Sequence, residues 1–311
     1  MRSLRPAEPV WVDWKKEIKY PTALPDGDID LLKGIGPWPV RDQGDTAMCT
    51  AFAVTACVEL KEAIESGNGP KAKSASFLYH ATRLEMEKEM AERAKEAVAA
   101  TASPASEHAL LLPEHPESGA NFSCVVAAIR AGGLRDADGW PDSRDEAPRD
   151  RQRERGVQKL MLKPPVDHPP GGAVRGVNGT EVMSRLCDVI LEQLGKGQPV
   201  AVAFPFYRDA GGRLIWDDAA ARDGTLDFAR HPYIASDDGG HAVCIVGFER
   251  DEKTPGSTWG GWFVFRNSAG VRFAQERVPF GTNWGPGYGR VALSDMMHCW
   301  DYLSMDEYEA S

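Results

Sequence analysis

Residue 49 is a cysteine, and it opens a run in which Phe52, Ala56, Leu60 and Ile64, with Ala53 and Cys57 beside them, recur at helical spacing. A thiol at the first turn of a helix meets unpaired backbone N–H groups and the positive end of the helix dipole. Both favour the thiolate, which is the reactive form. Gln43 stands six residues earlier on a loop with Gly44, where its side-chain amide could be aimed at the same point as the Cys49 N–H. Two donors converging on one oxygen are what a developing oxyanion needs. A thiolate nucleophile also needs a base, and the base needs an orienting group. Of the seven histidines, His241 is best placed: it follows Gly239-Gly240 and opens the β-rich run Ala242 to Phe248. A second such run, Trp262 to Arg266, ends in Asn267-Ser268. The Asn267 side-chain oxygen there could hold the imidazole through its second nitrogen. Asn283, beside Trp284, is the rival for that role; Asn267 is preferred because it ends a hydrophobic strand.

The elements that must bring these residues together read as helices first and strands second, the α+β order. The first 40 residues are proline-bearing and lack periodicity, as in an extended arm. The helix that Cys49 opens is stopped by Gly67-Asn68-Gly69-Pro70. Phe77 to about Ala100 and Ser123 to Ala131 are further helical stretches, and the charged run Glu85 to Glu96 reads as a solvated helix face. Val182 to Leu194 is an amphipathic helix, and Pro199 to Phe204 joins the two later runs as a strand. Residues 85–118 and 140–177 read as insertions, the second polar and carrying Arg149, Arg151, Arg153 and Arg155 among acidic residues.

Composition narrows the classes of function. The 311 residues are 42% hydrophobic and 26% charged, ordinary globular proportions. The formal net charge of −10 argues against a phosphate-binding surface, and no nucleic-acid partner is expected. No apolar run reaches bilayer length, and no apolar segment follows the charged start Met1-Arg2-Ser3-Leu4-Arg5. No membrane association is therefore expected, and the expected location is the cytoplasm. The six cysteines contain no C-x-x-C pair, so no metal site is expected; five read as reduced core residues, with Cys49 the exception.

Taken in order, these segments resemble the papain-like cysteine peptidases. Gln43-Gly44 and Cys49 keep that family's interval, and Ala51-Phe52-Ala53 continues it. Gly240-His241-Ala242-Val243 with Val246-Gly247-Phe248 resembles its histidine segment, and Trp262 to Ser268 its asparagine segment. Trp284-Gly285-Pro286-Gly287-Tyr288-Gly289 resembles the glycine-rich run beyond it. Ser76-Phe77-Leu78-Tyr79 and Gly197-Gln198-Pro199-Val200 are similar to segments of bacterial members that lack a propeptide, and such a member is expected here.

The resemblance implies a two-lobed fold, with a mainly helical lobe over about 45–140 and an antiparallel, β-barrel-like lobe over about 178–305. The active site lies in the cleft of this single catalytic domain, 1–311. It implies Cys49 as nucleophile, His241 as general base and then acid, Asn267 as orienter, and Gln43 with the Cys49 N–H as oxyanion hole. The implied reaction is peptide hydrolysis through an acyl-thioester, without a cofactor. Alternatives with the same residues are an acyltransferase or amidase, or an inactive peptide-binding protein. A regulatory partner at the insertions is a further expectation.

The chain departs from the family at four points. Thr46-Ala47-Met48-Cys49-Thr50 lacks the half-cystine of C-G-[SA]-C-[WY] and sets bulky Met48 beside the nucleophile. Ala269 stands where the family has a tryptophan shielding the Asn–His bond, so Phe273 or Phe280 is expected to take over. His241 lies 192 residues beyond Cys49, against a common spacing of roughly 130–150. No C-x-G-G segment is present, so no substrate preference is implied.

Overall fold

The computed structural model describes residues 23–100, 119–142, 160–161, 179–234, 239–276, 284–299, 301–304 and 307–308. Helix α1, Cys49–Ser66, lies at the centre. From Cys49 to Lys61 every side chain is buried, including the polar ones at Thr55 and Glu59. Gly67, in the left-handed conformation at φ 68°, ends it where the sequence places a stop. Helix α2, Ala75–Ala100, begins two residues before Phe77, because Asp142 from a distant loop accepts the Ala75 N–H at 2.8 Å and the Ser76 N–H at 3.3 Å. Its later turns carry exposed pairs such as Lys88–Glu85 and Lys95–Glu92, as a solvated face should. Helix α3, Phe122–Gly132, is capped by Asn121, whose Oδ1 accepts the Cys124 N–H at 2.8 Å. Helices α2 and α3 pack on each other and on α1.

The second half supplies helix α4, Gly179–Gly195, and most of an antiparallel sheet. Strands β3 (Val200–Pro205), β6 (Gly240–Arg250), β7 (Gly261–Arg266), β8 (Tyr288–Ala292) and β9 (Asp301–Ser304) run in the order β8-β7-β6-β3-β9. From the amino-terminal arm, β1 (Ile29–Asp30) pairs with the far end of β6. Helix α1 packs against β6 and β3, so the arm and the first helix are both built onto the sheet of the second half. The β6–β7 register shifts between Ile245 and Gly247, a bulge. A side chain at Gly247 would come 2.5 Å from the Trp284 ring and 2.6 Å from the Ile29 carbonyl oxygen, so only glycine fits there.

Two short pairs complete the described strands. Strand β2 (Leu160–Met161) pairs with β10 (Glu307–Tyr308), and β4 (Tyr207–Arg208) pairs with β5 (Tyr233–Ile234). Of the expected insertions, 85–100 continues helix α2, whereas 101–118, 143–159 and 162–178 lie outside the described residues, as do Arg149, Arg151, Arg153 and Arg155. Among the described residues no helix is long and apolar enough to cross a membrane.

Candidate active site

Cys49 is the first residue of α1 and only 8% exposed. No side chain caps that helix end and no acidic residue stands in its first turn. The free N–H groups and the dipole therefore act on the thiol without competition. His241 is the second residue of β6, opposite Phe204 on β3, and Asn267 directly follows β7. Because β6 and β7 are adjacent and antiparallel, the start of one meets the end of the other at the same sheet edge. There His241 Nε2 donates to Asn267 Oδ1 at 2.7 Å. The same Oδ1 accepts the Ser268 N–H at 2.7 Å, which fixes the amide's orientation.

With Nε2 engaged, Nδ1 is the ring nitrogen left over; Cys49 Sγ lies 4.0 Å from the carbonyl oxygen of Gly240, the residue before His241, and His241 is near enough to act on the thiol. Burial pushes the Cys49 thiol up. The His241 hydrogen bond and charge, the Ala242 N–H and the Thr50 hydroxyl outweigh it and leave the thiol below its ordinary value. Burial pulls His241 down, and the Cys49 hydrogen bond and charge with the Asn267 bond reverse that, so the imidazole sits above its ordinary value. The two shifts run in the directions that favour a thiolate beside an imidazolium. The five other cysteines are free and buried, and Cys57 and Cys244 touch, Sγ to Sγ, at 3.3 Å. Burial raises Cys124 to about 11 and Cys299 to about 12. Burial thus works against the thiolate at Cys57, Cys124, Cys187 and Cys299, whereas Cys49 is shifted toward reactivity.

Gln43 is held to the same strand end. Its N–H donates to Ser268 O at 2.7 Å, Gly270 N–H donates to Arg41 O at 3.0 Å, and Asp42 bridges Ala269. Gly270 has φ 67°, and a side chain on it would collide with Asp42. The Ser268 hydroxyl donates to Gln43 Oε1 at 2.6 Å, so the amide nitrogen points the other way. One of its hydrogens goes to Thr46 O at 2.6 Å, and the second has no partner among the described residues. Met48 is buried in the core. Asn283 and Phe280 lie outside the described residues.

Of the two aromatics expected to cover the Asn267–His241 bond, Phe273 alone lies among the described residues. Phe273 packs on Phe265, ring centroids 6.2 Å apart. Among the described residues the ring on His241 is Trp216, at 4.5 Å between centroids and 70° between planes. It belongs to helix α5, Ile215–Ala220. Nothing in the sequence ties position 216 to position 241, because a contact across a sheet leaves no local spacing. Ser268 was legible only as the neighbour of Asn267; its bond to Gln43 follows from the pairing of two loops far apart in sequence. Among the described residues no group of three or more His, Cys, Asp or Glu is arranged to hold a metal ion.

No family model matches the sequence, and no curated protein does. Solved structures do match in three dimensions. Xylellain, a cysteine protease from Xylella fastidiosa, superposes with a TM-score of 0.55 at 18% identity, covering 96% of this chain and 94% of its own. Digestive procathepsin L 3 of Tenebrio molitor larval midgut gives 0.52 at 15%, covering 95% and 73%. The proform of Amb a 11, a cysteine protease and ragweed pollen allergen, gives 0.52 at 15%, covering 92% and 66%. The chain has the papain-like fold.

Proposed function

We propose that this protein is a cysteine peptidase in which Cys49 is the nucleophile, His241 the base and acid, and Asn267 the group that orients His241. The observation that carries the reading is the thiol at the open end of α1, paired with an imidazole whose Nε2 lies 2.7 Å from Asn267 Oδ1. The substrate is a peptide or protein entering extended between α1 and the β6–β7 edge. The Cys49 thiolate attacks the scissile carbonyl carbon, and the carbonyl electrons move onto oxygen. The Cys49 N–H and the second hydrogen of Gln43 Nε2 receive that oxyanion. As the tetrahedral adduct collapses, the imidazolium of His241 gives its proton to the departing amine, leaving an acyl-thioester. His241, now neutral, takes a proton from water, and the resulting hydroxide equivalent attacks the thioester. The acid leaves and the thiolate–imidazolium pair is restored.

The test is hydrolysis of a mixed fluorogenic peptide library, with active-site titration by an epoxide probe. Cleavage that disappears in Cys49→Ala, and a single probe adduct on Cys49 that is slowed in His241→Ala, are the expected results. An unvaried protein that labels its six cysteines uniformly slowly overturns the reading. If fragments accumulate only when an amine acceptor is added, the chemistry is transfer and not hydrolysis.

A further inference from the structure

We infer that Trp216 is a positioning residue for His241, acting as the water-excluding wall of the His241–Asn267 hydrogen bond; the inference rests on the Cys49–His241–Asn267 reading above. The bond between the imidazole and the Asn267 amide is a single neutral-acceptor contact of 2.7 Å at a strand edge. His241 is half-buried. A hydrogen bond of that kind holds its geometry when water cannot compete for the donor and the local dielectric is low. The residue two beyond Asn267 is alanine, half-buried, and its methyl group is too small to cover the pair. Among the described residues the ring that does lie against the imidazole is Trp216, 8% exposed, edge to face at 4.5 Å.

The fold holds Trp216 there from both sides. Upstream, Asp209 closes a tight turn: its Oδ1 accepts the Gly211 and Arg213 N–H groups at 2.8 and 2.9 Å, and Arg208 bridges Leu214. The turn ends at Leu214, where α5 begins. Downstream, Ala220 O of α5 accepts the Ala274 N–H at 3.1 Å. Ala274 follows Phe273, whose carbonyl accepts the Gly287 N–H at 2.7 Å, while Gly287 O accepts the Asn267 N–H at 3.0 Å. Three backbone bonds thus link the helix that carries Trp216 to the residue that orients His241. On the sheet side Phe265 and Phe204 back the indole, at 5.8 and 6.5 Å between centroids. The indole's own Nε1–H is buried without a partner among the described residues. Its placement therefore owes nothing to a hydrogen bond of its own. What it contributes is a ring face.

The test is a double-mutant cycle read on the Cys49 thiolate, which needs no peptide substrate. Iodoacetamide labelling of Cys49 at pH 6.5 is expected to slow about tenfold in Trp216→Ala and similarly in Asn267→Ala. In the double variant it should be within about twofold of the slower single, because both changes damage one hydrogen bond. Trp216→Phe keeps a ring and should retain the rate within about threefold. Rates that multiply in the double variant, or a folded Trp216→Ala that labels like the unvaried protein, overturn the inference.

A second readout covers the case in which Trp216→Ala does not fold. In the unvaried protein the His241 Nε2 proton should give a low-field resonance that exchanges slowly with solvent and is lost in Asn267→Ala. A proton that exchanges as fast as that of a solvent-exposed histidine overturns the inference as well. If labelling of Cys49 is fast and depends on His241 but is indifferent to Trp216, this inference alone fails. If Cys49 labels no faster than the other thiols, the peptidase reading fails and takes this inference with it.

Discussion

Cys49 and His241 each cost the other its ordinary proton affinity, and the pH dependence of any reaction they run follows from the directions. The thiol lies below its usual value, so the acid limb, where the thiolate forms, falls below the roughly 8.5 of a free cysteine. The imidazole lies above its usual value, so the alkaline limb, where the imidazolium is lost, falls above roughly 6.5. A bell-shaped kcat/KM profile between these limbs is predicted with a fluorogenic peptide. Since the Asn267 bond is one of the contributions raising His241, Asn267→Ala should move the alkaline limb down. A profile that only rises toward pH 9 would contradict the pairing. For Gln43, the second amide hydrogen is enough for an oxyanion. Gln43→Ala is predicted to lower kcat by about 10²–10³ with little change in KM; unchanged turnover removes it from the mechanism. Cys49, Gln43, His241 and Asn267 were legible because each carries a local mark: a helix start, a glycine loop, a glycine before a strand, a strand end. Trp216 carries none.

At the scale of elements, the arm that leads into Gln43 is tied down by charge. Arg41 reaches Glu59 of α1 at 2.7 Å, Thr55 at 3.0 Å, Asp142 at 3.1 Å and the Lys73 carbonyl at 2.6 Å. Glu59, 1% exposed, also accepts from the Trp38 indole at 2.8 Å and the Lys73 N–H at 2.8 Å. Arg266, next to Asn267, lies over the Trp38 ring at 3.7 Å and donates to the Trp38 carbonyl at 3.0 Å and to the Pro39 carbonyl. One buried carboxylate thus joins α1, the arm and the strand end that bears the orienting residue. Burial nonetheless raises the Glu59 pKa, which marks how much desolvation its partners must offset. Glu59→Ala leaves the Trp38 and Lys73 N–H donors without their acceptor and takes one of two carboxylates from the half-buried Arg41 guanidinium, and is predicted to cost about 2–5 kcal/mol by urea unfolding. A loss below about 1 kcal/mol would class the cluster with surface pairs. The sequence showed this arm only as extended and unpatterned, because ion pairs between residues 41, 59 and 142 have no period. Helix α1 was legible throughout because its burial has one.

For the whole molecule, the net charge of −10 and two carboxyls in the second half act on stability in the same direction. Burial and the neighbouring Asp227 raise Asp295 to about 7, and burial raises Asp301 to about 6. Below about pH 4 both are protonated in the folded and unfolded chains, and their contribution to stability is fully present. As pH rises toward 7 the unfolded chain releases those protons first, so stability falls until the folded-state values are passed. Buried His298, stacked on Phe228 at 4.2 Å and lowered to about 4, has the opposite slope. Its contribution is complete above roughly 6.5 and is lost as pH falls toward 4. Between about pH 4 and 6 two groups oppose one, and the net effect is loss of stability with rising pH. Growing negative charge on an already acidic chain adds to it. Asp295→Asn removes one ionisation without changing the shape of the side chain. Relative to the unvaried protein it should gain up to roughly 4 kcal/mol at pH 8 over its effect at pH 4, since a rise from the ordinary carboxylate value to about 7 is worth that much. Urea unfolding at the two pH values measures it. An effect of Asp295→Asn that is equal at pH 4 and pH 8 would mean that Asp295 ionises in the folded protein as readily as in the unfolded chain, and the acidic surface alone would then have to account for any loss of stability above neutrality.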